Sequence, residues 1–277
     1  MPAENIVTFS YWLLPALAGA GLLAGTMAGL LGVGGGAITV PALYFVLRFV
    51  GVDDTVLMHT AVGTSLATIV PTSIRSVRAH ARLGGFDRTI FRNWAPGMLI
   101  GVGCGAWLAS QADFRSLVTL FGTVLLLIAI QMAFGRREVQ LLHQPPRGLA
   151  AVPVAGTIGL LSTMIGVGGG AMSVPTLNLC GVPIHRAVGT AAGFGLLIAL
   201  PGSLGMMLAG WNEAGLPPGN LGYVSLPGVL VIAPMAILTA PLGARLAHRL
   251  NPEHLRRVFA LFLAVTALKM LSDAISG

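Results

Sequence analysis

Ten residues recur in this chain almost unchanged. Gly32-Val33-Gly34-Gly35-Gly36-Ala37-Ile38-Thr39-Val40-Pro41 returns as Gly166-Val167-Gly168-Gly169-Gly170-Ala171-Met172-Ser173-Val174-Pro175, differing only in Ile38 to Met172 and Thr39 to Ser173. Three successive glycines free the backbone to leave a helix and to approach a ligand closely. The hydroxyl and proline behind them suit the first turn of a following helix, where a missing N–H costs little. Such a helix aims unpaired N–H groups and the positive end of its dipole at the break, which is chemistry for holding an anion. Gly34, Gly35, Gly36 and Thr39, with Gly168, Gly169, Gly170 and Ser173, are therefore the candidate binding residues. The competing reading is close helix packing through small residues. Packing alone does not call for three glycines followed by a hydroxyl and a proline.

A second pattern also recurs. His59-Thr60-Ala61-Val62-Gly63-Thr64 matches His185-Arg186-Ala187-Val188-Gly189-Thr190 and opens the third expected helix of each half. Thr64, Ser65 and Thr190 can donate hydrogen bonds to an anion without burying a charge. His59 and His185 titrate near neutrality and are candidates for proton coupling. The plainer reading leaves both at helix ends near lipid headgroups. Cys104 and Cys180 sit in apolar surroundings and offer neither metal spacing nor a disulfide framework. No catalytic residue, metal or cofactor is expected. Gly32-x-Gly34-x-x-Ala37 with Asp53 downstream imitates a dinucleotide fingerprint. That motif needs a strand before it, whereas here a charge-free stretch of helix length precedes it.

These residues must be positioned by elements of an unusual composition. The chain is 277 residues, 55% hydrophobic and 9% charged, against about 25% charged in soluble domains. No charged side chain occurs from Asn5 to Leu47 or from Gly148 to Ile184. A spanning helix needs about 20 apolar residues, so each run can hold two segments. The sequence predicts an all-α, polytopic integral membrane protein. Expected helices cover 11–31, 37–50, 56–78, 94–110 and 115–135, then 149–165, 171–181, 187–209, 224–247 and 255–274. The first membrane repeat is thus 1–135, the linker with Pro145-Pro146 is 136–148, and the second repeat is 149–277. The second segment of each half is short and broken or re-entrant, which places the glycines inside the membrane.

The net charge of +7 does not point to nucleic acid, because the basic residues sit at segment ends, where they orient a membrane protein. The loop with Arg75, Arg78, Arg82, Arg88 and Arg92 is expected in the cytoplasm, and its counterpart 210–223, with no basic residue, outside. Equivalent loops on opposite sides imply two inverted repeats of about five segments and both termini outside. The first ten residues lack the basic start of a signal peptide, so the first segment should be retained. Broken helices near the midplane of inverted repeats are a transporter arrangement. An anion channel built on the same glycines is the nearest rival. A membrane enzyme is less well supported, because the nine acids all fall in termini, loops or segment edges.

The paired Gly-Val-Gly-Gly-Gly-Ala-x-[Thr/Ser]-Val-Pro motifs, each followed by Ala-Val-Gly-Thr, resemble the sulfite exporter TauE/SafE family, also called 4-toluene sulfonate uptake permeases. The resemblance covers essentially the whole chain. It implies a secondary transporter in the bacterial inner membrane for a small sulfur-containing anion: sulfite, a sulfonate, sulfoacetate or thiosulfate. Its partners would be that anion and the lipid bilayer. The matching positions are Gly34 to Gly36, Thr39, Pro41, Gly168 to Gly170, Ser173 and Pro175. The family is usually given seven or eight spans. Counting the short pieces as re-entrant would reconcile that number with ten segments.

Overall fold

The computed structural model describes residues 3–31, 35–134, 142, 144–247 and 252–276. Gly34, Arg136, Arg137, Arg249 and the linker residues 136–141 and 143 lie outside these. The first half contains α1 (Ala3–Leu31), α2 (Gly36–Phe49), α3 (Asp54–Arg82), α4 (Arg88–Gln111) and α5 (Phe114–Phe134). The second contains α6 (Ala151–Met164), α7 (Gly170–Leu179), α8 (Ile184–Ala209), α9 (Leu226–Ala247) and α10 (Pro252–Ser276). Between α8 and α9 a hairpin of two short strands, β1 (Asn220–Leu221) and β2 (Val224–Ser225), pairs antiparallel. Among the described residues four helical stretches are long and apolar enough to cross a membrane: Phe114–Phe134, Ile184–Ala209, Leu226–Gly243 and Arg257–Ile275. The chain is an all-α membrane protein.

Small residues set the helix contacts. Gly97, Gly101 and Gly105 of α4 meet Val152, Gly156 and Leu160 of α6 in step, so these helices run parallel. Gly21 and Gly25 of α1 meet Ile232 and Ala236 of α9 in the same way. The first helix of each half thus lies along the fourth helix of the other. Without a hydrophobic driving force between helices in lipid, backbone contact through glycine is a main source of association. The third helices also pair. Gly63 faces Met206, Leu66 faces Gly202 and Ser73 faces Gly195, so α3 and α8 run antiparallel. Leu208, Leu230, Leu238, Leu261 and Phe134 are exposed on outward faces, as lipid-facing positions are. Cys104 is exposed on α4, whereas Cys180 is buried.

Candidate functional site

The second glycine motif breaks the chain between helices. α6 ends at Met164, Gly166 takes a left-handed turn at φ +66°, and α7 begins at Gly170. In the first copy α1 is described to Leu31 and α2 begins at Gly36. With 14 and 10 residues, α2 and α7 are about 21 Å and 15 Å long at 1.5 Å per residue. Their N-caps are Gly35 and Gly169, with no side-chain cap. Two helices of the first half are built differently, whereas α6 and α8 also lack a side-chain cap. Asp53 caps α3 by accepting from the Thr55 amide at 2.9 Å. Asp87 caps α4 by accepting from Thr89 and Ile90 at 2.9 and 3.1 Å. The first amides of α2 and α7 therefore lack the acceptor that α3 and α4 have, and retain their positive character.

The two motifs meet inside the molecule. A Cβ on Gly36 would stand 2.7 Å from the Gly166 carbonyl oxygen and 2.8 Å from Val167 Cα. The Ser65 hydroxyl donates to that same Gly166 oxygen at 2.8 Å. A Cβ on Gly169 would stand 2.8 Å from the amide nitrogen of Gly195 and from Phe194 Cβ. One on Gly195 would stand 2.8 Å from Ser73 Oγ. Ser73 and Gly195 thus join the site, although neither stood out in sequence. The available signal was that Ser65 and Ser73 lie on one helical stripe, eight residues apart. Gly35 and Gly168 are less confined, with nearest atoms at 3.7 and 3.2 Å from a built Cβ. Gly170 is half-buried at the start of α7.

The paired hydroxyls differ. Thr39 donates back to the Gly35 carbonyl at 2.9 Å. Ser173 is fully buried and its hydroxyl has no hydrogen-bond partner among the described residues. An unsatisfied buried hydroxyl costs about 1–3 kcal/mol, so it marks a place where a polar ligand would be favoured.

The threonines of the Ala-Val-Gly-Thr repeats bond to backbone amides of the other half. Thr64 Oγ1 accepts from the Ser225 amide at 2.9 Å, and Thr190 Oγ1 accepts from the Asp87 amide at 3.0 Å. One residue earlier, Gly63 lies on the Tyr223 carbonyl and Gly189 on the Gly85 carbonyl, with no space for a Cβ at either. Ser225 and Asp87 stand immediately before α9 and α4. Each repeat therefore latches the third helix of its own half to the start of the fourth helix of the other. The histidines part company. His59 is buried, with Nε2 3.0 Å from the Ala109 carbonyl and its ring stacked 4.7 Å from that of Tyr223. His185 is exposed.

Among the described residues, ion pairs form at two places away from the glycines. Asp87 also pairs with Arg186. Burial raises the Asp87 carboxyl, but the Ile90 and Thr89 amides and Arg186 outweigh it and hold it below the usual carboxylate range. Asp273 on α10 is buried and receives hydrogen bonds from Lys269 at 2.6 Å and Tyr44 at 3.2 Å, with Arg48 at 3.4 Å. The Arg48 guanidinium also donates to the Tyr44 hydroxyl. Their spacing, Tyr44 to Arg48 and Lys269 to Asp273, each four apart on a helix face, was the signal for the cluster.

A family model described as sulfite exporter TauE/SafE matches residues 17–270. A probable membrane transporter protein of Haemophilus influenzae is 36% identical over 263 residues, covering 95% of this chain and 98% of its own. One of Methanocaldococcus jannaschii is 32% identical over 94% of this chain and 96% of its own. Bacillus subtilis YunE, also named a probable membrane transporter protein, is 23% identical over 92% and 96%. No solved structure matches the chain. With the two glycine motifs in contact inside an all-α membrane fold, and a family match spanning nearly its full length, the chain belongs to the TauE/SafE family of membrane transporters.

Proposed function

We propose that this protein carries a small sulfur-containing anion across the bacterial inner membrane by alternating access, and that the anion binds between the N-termini of α2 and α7. The observation that carries this reading is the pair of helices with glycine N-caps and no side-chain cap, one beside a buried hydroxyl without a partner. An anion of the sulfite, sulfonate, sulfoacetate or thiosulfate class would take hydrogen bonds from the open amides of Gly36 and Gly170 and from Ser173. Gly34, Gly35, Gly168 and Gly169 let it approach the backbone. Thr39 and Ser65 hold the surrounding carbonyls, and Thr64 and Thr190 fix the frame.

The halves, 1–135 and 149–277 joined by the 136–148 linker, are inverted repeats in this reading, with both termini periplasmic. Antiparallel packing of α3 on α8 supports it, since equivalent helices of inverted repeats point opposite ways. Rocking of one half on the other would expose the site to each side in turn. Any proton coupling runs through buried His59 rather than exposed His185. Replacing both with no change in the pH dependence of uptake removes that coupling route.

The test is saturable counterflow in proteoliposomes with sulfite, thiosulfate, sulfoacetate and taurine, alongside Ser173→Ala and Gly35→Leu. Saturation and counterflow for one of these anions, weakened in both folded variants, is the expected result. Currents resolvable as single openings would make the protein a channel. Unchanged transport in both variants would move the site away from the glycines.

A further inference from the structure

A cavity of about 250 Å³ opens between the start of α4, the linker at 144–147 and the turn from α7 to α8. Its wall includes Asp87, Asn93, Arg147, Cys180 and Arg186, and none of the glycine-motif residues. The one carboxylate in this wall is already engaged. Asp87 Oδ1 accepts from two backbone amides and Oδ2 pairs with Arg186. Arg147 is left over: it is exposed and has no hydrogen-bond or ion-pair partner among the described residues. It is nevertheless held in place. The Trp94 indole N–H donates to the Pro146 carbonyl at 3.1 Å, and the Gly148 amide donates to Asn93 Oδ1 at 3.5 Å. These bonds tie the chain on both sides of Arg147 to α4. The result is a preformed hollow with two guanidinium groups against one carboxylate.

We propose that this cavity binds the oxyanion head of a second ligand, a phosphate or sulfonate group held by Arg147 and the free edge of Arg186. Guanidinium groups present paired N–H donors that match two oxygens of such a head. Asp87, in the wall of the hollow, ends the short α3–α4 turn, and the arginines on the helices beside that turn, Arg75, Arg78, Arg82, Arg88 and Arg92, are those that the expected orientation puts in the cytoplasm. Basic hollows between helices on that side hold anionic lipid headgroups. The same chemistry fits a free inorganic oxyanion in the cytoplasm. The site does not rest on the transport reading, since it shares no residue with the glycine motifs.

The test uses the full chain in mild detergent. Native mass spectrometry would compare retention of phosphatidylglycerol with phosphatidylcholine, and melting would be followed against inorganic phosphate. Arg147→Gln is the informative variant, because an exposed side chain without partners is dispensable for folding. Arg115→Gln, an exposed arginine at the start of α5, is the charge-matched control. The expected result is binding of phosphatidylglycerol or phosphate that falls about tenfold in Arg147→Gln, as for loss of one charge-assisted pair, and holds in Arg115→Gln. Retention of the lipid alone identifies a headgroup site. Stabilisation by phosphate alone identifies a free-anion site. No binding of either by the parent, an unchanged Arg147→Gln, or an equal loss in Arg115→Gln would each overturn the proposal. A Gly35→Leu protein that loses sulfur-anion transport but keeps this binding separates the two sites.

Discussion

The helices α2 and α7 begin with nearly the same sequence and end in different surroundings. Both start from a glycine N-cap with a proline five residues into the helix. At its far end α2 is tied to α10 through Tyr44, Arg48 and Asp273. α7 ends in a turn whose Cys180 and Gly181 line an open cavity. Their hydroxyls differ in the same sense: Thr39 is satisfied within its own helix and Ser173 is not. The two helices start alike, but among the described residues the ion-pair cluster of Asp273 ties down α2 and no such cluster ties down α7. In an alternating-access carrier the less anchored helix is the one expected to follow its ligand.

The largest expected effect tests whether the breaks are equally tight. Gly36→Ala brings a Cβ to 2.7 Å from the Gly166 carbonyl, and Gly169→Ala brings one to 2.8 Å from the Gly195 nitrogen. Backbone atoms cannot turn aside as a side chain can, so each change costs about 1–3 kcal/mol as overpacking. Gly35→Ala meets nothing closer than 3.7 Å and should leave the melting temperature within a degree or two of the parent. Equal losses at Gly35 and Gly169 would mean the glycines act through something other than contact.

The anchor on α2 comes next. Asp273→Asn removes the charge that Lys269 and Arg48 share and should lower stability by about 2 kcal/mol, the range for hydrogen bonds to a charged group. Asn178→Asp on α7, which has no such cluster around it, should gain nothing. If melting of Asp273→Asn matched the parent, α2 would be no better anchored than α7.

A smaller effect is expected at the latches, which the comparison treats as equal. Thr64→Val and Thr190→Val each delete one bond to a backbone amide, worth about 1 kcal/mol. Amide exchange at Ser225 and at Asp87 should quicken in the respective variant and not in the other. A loss confined to one threonine would make the two ends of the frame unequal as well.

The helices were legible because composition and punctuation agree along the chain. Charges, glycines and prolines placed all ten, and the start of α2 fell within one residue of its expected position. Ends governed by caps were missed by more. α4 begins at Arg88 rather than 94 because Asp87 supplies a cap that apolar periodicity does not register. The hairpin at Asn220–Ser225 has two residues per strand, too few for any alternation to be seen. Within the site, the glycine positions followed from backbone chemistry. The roles of Thr64 and Thr190 did not, because each partner lies in the opposite half, 161 and 103 residues away. The Tyr44–Asp273 contact, 229 residues apart, was hidden for the same reason.

The finest distinction is between the two hydroxyls. A hydroxyl has one proton to donate, and Thr39 uses its proton on the Gly35 carbonyl. Ser173 has its proton free in a buried position. Ser173→Ala should therefore raise melting, since it relieves an unsatisfied buried hydroxyl that costs about 1–3 kcal/mol and breaks no bond, while weakening anion affinity roughly tenfold, the equivalent of one hydrogen bond to a charged ligand. Thr39→Ala should do the reverse, lowering stability by about 0.5–1 kcal/mol with little change in affinity. Binding titrations beside melting curves on the two variants separate the cases. If the variants are interchangeable in both measurements, the asymmetry between α2 and α7 does not extend to the ligand, and both helix ends hold the anion alike.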